Sequence, residues 1–393
     1  MCKTYFDDAS FTGEEMTNLT LYYATNRHHE GSDPLHPVSY GTKFSDDGME
    51  NLRFGKVTVS ADEEKIRSFI NADSGFGIGQ GDKLSDYLEV CAKTAIIEVF
   101  AEQINKEIAD INQPNAVLGS KALFLDIKSA MEKNTDVLIY IHGFNVTWNG
   151  AVGTALALQE LLNRSSNKDP NQNVLVVLFT WPSDGLALPF VSYKSDRTEA
   201  EGSGYAFGRG ILKVRDFLAT LRQDNQAKCN QDIHLLCHSM GNFVLQNTLE
   251  RIEQFTPGSA LPRIFEYIFL CAADVDDNVL ESGQAMDRLH EMARSVSIYY
   301  NRGDVAMYIS DYTKGNSERL GTNGAAHPLL LHNKVTQIDC SPIVKGFIEH
   351  SYYLCGNVNA DIRASIDGVS NDDKEKRKRV QSTTWPNVWS MSK

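Results

Sequence analysis

A serine at position 239 lies in a sequence that predicts a nucleophile. The apolar run 233–237 is typical of a short buried strand, and the periodicity of 242–252 is typical of a helix. Ser239 falls in the tight turn between them, and such a strained turn presents a hydroxyl above the end of a sheet. Amides at the start of the helix favour negative charge at the same place. The segment therefore predicts a nucleophilic serine, and a purely structural turn is the alternative.

The pattern around Ser239 departs at one position from the usual G-x-S-x-G of such turns. Cys237 occupies the first small position, and Gly241 keeps the second. The first position needs clearance beneath the turn, and a cysteine side chain is only modestly larger than that of alanine. Gly241 allows the helix to pack close to the strand. We expect the cysteine to affect the fine geometry of the turn and not the class of site.

A second apolar run, 137–141, ends in His142 and Gly143. The turn after such a strand donates one backbone N–H to a developing oxyanion, and the residue after the nucleophile donates the other. Here the donors would be the amides of Phe144 and Met240. We interpret His142 as a brace for this turn and not as a catalytic base.

A nucleophilic serine also needs a general base, and sites of this kind place it after the nucleophile in the chain. His350 follows soon after the last predicted strand, 335–338, and is the preferred base. His327 and His332 lie in a polar loop and are alternatives, whereas His290 lies in a predicted helix.

The base needs a carboxylate that orients it. Asp304 follows the predicted strand 295–300 in a glycine-containing turn, which suits a carboxylate at the carboxyl end of a strand. Asp274 and Asp276 follow the preceding strand, 267–270, and are alternatives. For that pair, capping of a helix is the competing structural role. We expect Asp304 to be the acid.

Around these residues, apolar runs of strand length alternate with amphipathic stretches of helix length. Strands that are apolar on both faces and alternate with helices indicate a mostly parallel, doubly wound α/β sheet covered on both sides. The predicted strands are 137–141, 174–180, 233–237, 267–270, 295–300 and 335–338, and the predicted helices lie around 149–163, 205–221, 242–252, 278–292 and 304–312.

The chain divides into four segments by pattern. Residues 1–60 contain two strand-like runs that we expect to join the main sheet, and 61–135 form a helical and loop segment that could act as a lid. Residues 136–355 form the catalytic core, and 356–393 a charged C-terminal tail.

Composition and charge limit the possible partners, cofactors and location of the protein. A formal net charge of −13 over 393 residues argues against a nucleic-acid partner, because phosphate binding depends on clustered lysine and arginine. No apolar run reaches the roughly 18 residues of a membrane helix. The 7 cysteines are scattered and form no metal-type spacing, which favours reduced thiols in a cytoplasmic protein without a metal. Oligomeric state is not predicted by any of these features.

Taken together, several motifs between about residues 20 and 355 resemble an uncharacterised, mainly bacterial family of α/β-hydrolases with lipase- and esterase-like triads. The shared motifs are YYATNR (22–27), IHGFN (141–145), FTWPS (179–183), YKSD (193–196), HSMGN (238–242), ADVD (273–276), NRGD (301–304), RLG (319–321) and HSY (350–352). The resemblance implies an α/β-hydrolase fold with Ser239, Asp304 and His350 as the triad.

The chemistry expected of this triad is cleavage of a carboxylic ester through an acyl-enzyme, without a cofactor, on a small-molecule ester or lipid. A lipase or phospholipase, an amidase or peptidase, and an acyltransferase would use the same triad. A catalytically silent protein that binds a small ligand is the alternative from another class. Tyr193 and Asp196 are expected either to contact substrate or to stabilise a loop, and Trp181 either to line an apolar pocket or to belong to the core.

Overall fold

The structure is a computed structural model, and it describes residues 15–102, 117–133, 135–164, 172–183, 189–223, 231–307, 318–345 and 350–392. In chain order the strands are β1 Met16–Thr25, β2 Arg27–Glu30, β3 Ser39–Phe44, β4 Arg53–Asp62, β5 Ile96–Phe100, β6 Thr135–Ile141, β7 Asn173–Thr180, β8 Ile233–His238, β9 Phe265–Cys271, β10 Ala293–Tyr300, β11 Val335–Asp339, β12 Arg379–Gln381 and β13 Val388–Met391. The helices are α1 Glu63–Asn71, α2 Gly81–Ala92, α3 Gly119–Met131, α4 Trp148–Arg164, α5 Pro189–Gln223, α6 Gly241–Phe255, α7 Leu320–Asn323, α8 Gly356–Ile366 and α9 Lys374–Arg377.

A mostly parallel sheet organises the protein. In the described residues it has 11 strands in the order β12-β13-β11-β10-β9-β8-β6-β7-β1-β4-β5, and β2 and β3 form a separate hairpin. The strands from β13 to β1 pair in parallel, while β4, β5 and β12 are antiparallel to their neighbours. Parallel strands bring their carboxyl ends to one edge of the sheet, so the turns that follow β6, β8 and β10 lie together there.

Helices cover both faces of this sheet, as the apolar strand runs predict. On one face α2, α4 and α8 pack against residues such as Leu138 and Tyr140 of β6. On the other, α3, α5 and α6 pack against residues such as Ile141 of β6 and Leu235 of β8. Because successive side chains of a strand point to opposite faces, each central strand contributes to both apolar cores. The predicted doubly wound α/β fold is confirmed.

The N-terminal strands extend the sheet. β1 lies beside β7 in parallel and pairs with β4 in an antiparallel register. The described part of segment 61–135 belongs to the packed fold, since β5 pairs with β4 and α2 packs tightly against α4. The lid expected in this segment stays a prediction, because residues 103–116 lie outside the described part.

The segment beyond residue 355 was expected to be a charged tail, and that expectation is wrong. It contains α8 and α9, and its strands β12 and β13 complete one edge of the sheet. The reason is charge pairing in the interior. Asp361 is buried and accepts hydrogen bonds from Arg377 (2.6 Å), Arg379 (3.1 Å) and the Tyr299 hydroxyl (2.6 Å). The buried carboxylate therefore neutralises two arginines of a charge run whose sequence, taken by itself, suggests a solvated segment.

The helix predicted at 278–292 is also wrong. The chain there forms consecutive turns and a short 3₁₀ helix, Leu289–Glu291. Gly283 has a φ of +81°, which a helix cannot accommodate, and Met286 and Leu289 are buried in the core at irregular spacing. Of the stretch 304–312, residues 308–312 lie outside the described part. Among helices in the described ranges, none is both long and apolar enough to cross a membrane.

Candidate active site

Ser239 occupies a strained turn between β8 and α6. Its φ is +53°, in the left-handed region that non-glycine residues rarely adopt. Its backbone is held on both sides, because its N–H donates to the Cys271 carbonyl (3.0 Å) and its carbonyl accepts from the amide of Asp274 (3.2 Å). The Asn242 side chain also donates to the Ser239 carbonyl (3.0 Å). Surrounding structure thus stabilises a conformation that costs free energy by itself, as is typical of functional sites.

The two small positions of the turn have different structural roles. A Cβ added to Gly241 would lie 2.7 Å from the carbonyl oxygens of Ile141 and His142, so no larger residue fits without backbone movement. Cys237 is completely buried beneath the turn, and burial raises the pKa of its thiol. Cys237 is therefore a neutral packing residue, and the turn forms without the first glycine.

His350 and Asp304 lie together at the carboxyl edge of the sheet. The Nδ1 atom of His350 is 2.7 Å from Oδ2 of Asp304, and Asp304 is only 1% exposed. Nδ1 must donate this bond, because an ionised carboxylate only accepts. The lone pair is then on Nε2, which is buried and has no hydrogen-bond partner in the described residues. His350 is thus arranged to accept a proton at Nε2.

His238, the residue before Ser239, links the Ser239 turn to His350. Its Nε2 lies 3.2 Å from the His350 carbonyl, and the two rings pack with centroids 4.6 Å apart. Burial lowers the pKa of His238 well below its ordinary value, so the ring is neutral. The backbone of His350 is therefore tied directly to the turn that carries Ser239.

The alternative acids have other partners. Asp274 accepts from the Tyr193 hydroxyl (2.9 Å to Oδ2) and forms an ion pair with the buried Arg319 (3.4 Å). Asp276 bonds to the same guanidinium. Of the acids considered, Asp304 is the one that the structure brings to His350.

The alternative bases also have other partners. His290 stacks on His332 with ring centroids 3.8 Å apart, and His327 bonds to Glu281 (2.9 Å). Among the histidines considered as bases, His350 is the one that has the bond to Asp304.

The turn after β6 lies against Ser239. A Cβ added to Gly143 would lie 2.8 Å from the Cβ of Ser239, so a glycine is needed for the turn to approach this closely. Within the described part of the chain, the amides of Phe144 and Met240 donate no hydrogen bond to another protein group. An oxyanion site requires N–H groups without an internal partner, so the role expected of these two amides stays a prediction that this pattern fits.

His142 braces this turn from behind. It is completely buried, its Nδ1 lies 2.8 Å from the Gly143 carbonyl, and its Nε2 lies 2.9 Å from the Thr180 hydroxyl. Burial and the nearby Arg27 lower the pKa of His142 well below its ordinary value. These contacts fit the interpretation of His142 as a structural residue.

The expected substrate contacts make interactions inside the protein. Trp181 is completely buried, stacks on His142 at 5.2 Å and donates from Nε1 to the His142 carbonyl (3.0 Å). Asp196, also buried, accepts from the Asn145 amide (2.7 Å). Tyr193 packs edge-on against Phe144 and bonds to Asp274. Each therefore supports a loop of the site, and a direct contact with substrate stays a prediction.

Four residues of the site were not singled out from the sequence. They are Arg27, Thr180, Ser183 and His238, and all contribute side-chain hydrogen bonds to the loops of the site. They occur in the motifs shared with the resembled family, but nothing local distinguishes an arginine or threonine that braces a distant loop from one exposed to solvent.

A cavity of about 340 Å³ lies elsewhere, between the sheet and helices α3 and α5. Its walls include Phe54, Phe124, Phe207, Ile233 and Val137. The candidate triad residues do not line it. Val137 and Ile233 are near the amino ends of their strands, away from the edge that carries Ser239. Within the described ranges, no group of histidine, cysteine and carboxylate side chains could hold a metal.

The sheet and the turn at Ser239 define the class of protein as an α/β hydrolase. A family model described as an alpha/beta hydrolase of unknown function (DUF900) matches residues 121–362, which is more than half of the chain. The chain belongs to this family, and the predicted family resemblance is confirmed. No curated protein matches the chain.

Proposed function

We propose that this protein is a serine hydrolase that cleaves carboxylic esters through a covalent acyl-enzyme. The single observation that carries the proposal is the geometry of His350. Its Nδ1 is bonded to a buried carboxylate, and its Nε2 is buried and has no hydrogen-bond partner among the residues that the structure describes. A buried nitrogen without a partner is costly in a folded protein, and a transient partner such as a serine hydroxyl explains why it is retained.

The first half of the reaction transfers the acyl group to the enzyme. His350 Nε2 takes the proton of Ser239 Oγ as Oγ attacks the carbonyl carbon, and Asp304 stabilises the imidazolium that forms. The negative oxygen of the tetrahedral intermediate accepts from the Phe144 and Met240 amides. The intermediate collapses, the ester C–O bond breaks, and the proton passes from His350 to the departing alcohol.

The second half releases the acid. A water molecule gives a proton to His350 Nε2 and attacks the acyl carbon, which again forms an oxyanion on the two amides. Collapse of this intermediate breaks the bond to Ser239, and the proton returns from His350 to Oγ. Apart from the ester and the water, the proposed cycle needs only Ser239, His350, Asp304 and the two backbone amides.

Labelling with a fluorophosphonate probe tests the proposal. The probe should label the wild-type protein, and Ser239→Ala and His350→Ala should each abolish labelling, because the serine is unreactive without its base. Ser68→Ala and His36→Ala are matched controls on the surface and should label like the wild type. A series of p-nitrophenyl esters of increasing acyl length then defines the substrate class.

Either of two results would count against the proposal. A wild-type protein that is folded by circular dichroism and is not labelled would favour a silent ligand-binding protein. Labelling that persists in Ser239→Ala would place the reactive residue elsewhere.

A further inference from the structure

Arg27, at the start of β2, is buried among the loops of the site. It is completely inaccessible to solvent, and Nε donates to the Thr180 hydroxyl oxygen (2.9 Å). Its Nη1 donates to the Gly41 carbonyl (2.9 Å) and its Nη2 to the Val146 carbonyl (2.7 Å). An arginine in this setting has a fixed orientation, because all three of its nitrogens are used.

A chain of hydrogen bonds runs from Arg27 to the oxyanion turn. The Thr180 oxygen accepts from Arg27, which leaves the Thr180 hydroxyl proton to be donated to His142 Nε2, 2.9 Å away. The backbone N–H of Trp181 also donates to Nε2 (3.3 Å). With Nε2 accepting, the ring proton is on Nδ1 and is donated to the Gly143 carbonyl (2.8 Å).

The orientation of the Gly143 carbonyl decides the orientation of the Phe144 amide. The two belong to one planar trans peptide group, in which the C=O and the N–H point in opposite directions. A bond that fixes the carbonyl therefore also fixes the N–H. Since Phe144 is the proposed oxyanion donor, the hydrogen bond from His142 acts on the direction of that donor.

The next two peptides of the turn are held as well. Asp196 accepts from the Asn145 amide (2.7 Å) and from the Ser183 hydroxyl (2.6 Å), and the Ser183 oxygen accepts from the Val146 amide (3.0 Å). Arg27 then binds the carbonyl of Val146. The turn is thus fixed peptide by peptide from Gly143 to Val146. Arg27 bonds directly to the Val146 carbonyl, and it reaches the Gly143 end through His142, which it contacts both directly (Nη2 to Nε2, 3.5 Å) and through the Thr180 hydroxyl.

Electrostatics support the same arrangement. Burial lowers the pKa of Arg27 to about 9, and the negative charge of Asp196 acts in the opposite direction. The cation beside His142 also disfavours a second proton on that ring, which keeps Nε2 available as an acceptor. Arg27 and Asp196 therefore attract each other while each bonds to the turn.

We propose that Arg27 is a positioning residue that orients the Phe144 oxyanion donor through Thr180 and His142. This inference rests on the serine hydrolase proposed above. Arg27 lies outside residues 121–362, the part that the family model matches. The N-terminal strands would then complete the active site and not only widen the sheet.

Thr180→Val in the full-length protein tests the relay, because valine keeps the shape and removes the hydroxyl. With p-nitrophenyl acetate, kcat should fall about 10- to 100-fold and KM should change less than about 3-fold, since the lost interaction acts on the transition state. Inhibition by a trifluoromethyl ketone, which forms a hemiketal oxyanion on the serine, should weaken by a similar factor. Thr180→Ser restores the hydroxyl and should recover most of the loss.

Thr248→Val is the matched control. Thr248 is also buried, but its hydroxyl bonds to carbonyls of Val244 and Gly204, away from the turn. It should keep the wild-type kcat, and urea unfolding should show all three variants folded.

Different failures separate the two proposals. A wild-type protein that the fluorophosphonate labels at Ser239, together with a Thr180→Val variant of normal kcat and inhibitor affinity, overturns the relay alone. Loss of kcat in Thr248→Val equal to that in Thr180→Val, or no recovery in Thr180→Ser, also overturns it. A wild-type protein that is not labelled overturns the proposed function and the relay with it.

Discussion

Asp304→Asn removes the charge that faces His350 and changes little else. In the wild-type protein the His350 Nδ1–H donates to Oδ2 over 2.7 Å, and the carboxylate is buried. With charge centres roughly 4 Å apart and an effective dielectric constant of about 20, the carboxylate stabilises an imidazolium by about 4 kcal/mol. That energy corresponds to a factor of roughly 1,000 in rate.

A second effect acts in the same direction. The asparagine side-chain N–H can donate to Nδ1, which moves the ring proton to Nε2. A protonated Nε2 can no longer accept the proton of Ser239. A comparable substitution in a Ser-His-Asp triad costs about 10,000-fold in kcat. We therefore expect kcat for p-nitrophenyl acetate to fall roughly 1,000- to 10,000-fold, with KM within about 3-fold.

The assay is steady-state hydrolysis at pH 7.5, with rates of fluorophosphonate labelling as a second readout. Asp276→Asn is the matched control, because Asp276 belongs to the rejected pair of acids and bonds to Arg319. It should retain most of the wild-type kcat. A folded Asp304→Asn variant within a few-fold of wild type, or an equal loss in Asp276→Asn, would refute the assignment of Asp304 as the orienting acid.

Three further predictions follow from burial and close packing. Asp361→Ala should lower the free energy of unfolding in urea by about 3–5 kcal/mol, because it leaves two arginines buried without their carboxylate. The control Asp46→Ala, at an exposed position, should change this free energy by less than about 0.5 kcal/mol. Equal changes in the two variants would show that the buried cluster contributes nothing to stability. Gly143→Ala should abolish labelling by the fluorophosphonate, because the new Cβ would overlap the Cβ of Ser239. In the control Gly150→Ala the new Cβ has no contact under 3.4 Å, and this variant should be labelled normally. A fully labelled Gly143→Ala variant would contradict this geometry. Burial lowers the pKa of His238, so below about pH 6.5 the unfolded chain binds a proton at this residue that the folded chain excludes. His238 should then lower the free energy of unfolding by up to about 1.4 kcal/mol for each unit of decreasing pH, in addition to the share of the buried His142. Urea unfolding at pH 7.5 and 5.5 should show a smaller drop for His238→Asn than for the wild type, and an unchanged drop would exclude the effect.

The sequence determined the fold because strand and helix identity depends on local patterns. The six predicted core strands from 137–141 to 335–338 all appear, as do the helices after β6, β7 and β8. The strand, turn and helix around Ser239 were also predictable, since the residues that form them are adjacent in the chain. The prediction of a helix at 278–292 was wrong because Gly283 adopts a positive φ and the core residues are irregularly spaced. Neither feature gives the sequence a distinct local signal against a helix.

The tertiary structure decided which polar groups meet. From the chain alone, Asp304 and the pair at 274 and 276 were all acids at carboxyl ends of neighbouring strands, and only the folded protein brings one of them to His350. Two arginines of the C-terminal charge run, Arg377 and Arg379, are likewise buried because they pair with Asp361. Arg27 contacts the turn after β6 although more than a hundred residues separate the two in the chain. Side-chain pairing of this kind depends on distances in space, and a periodic pattern along the chain contains no information about them.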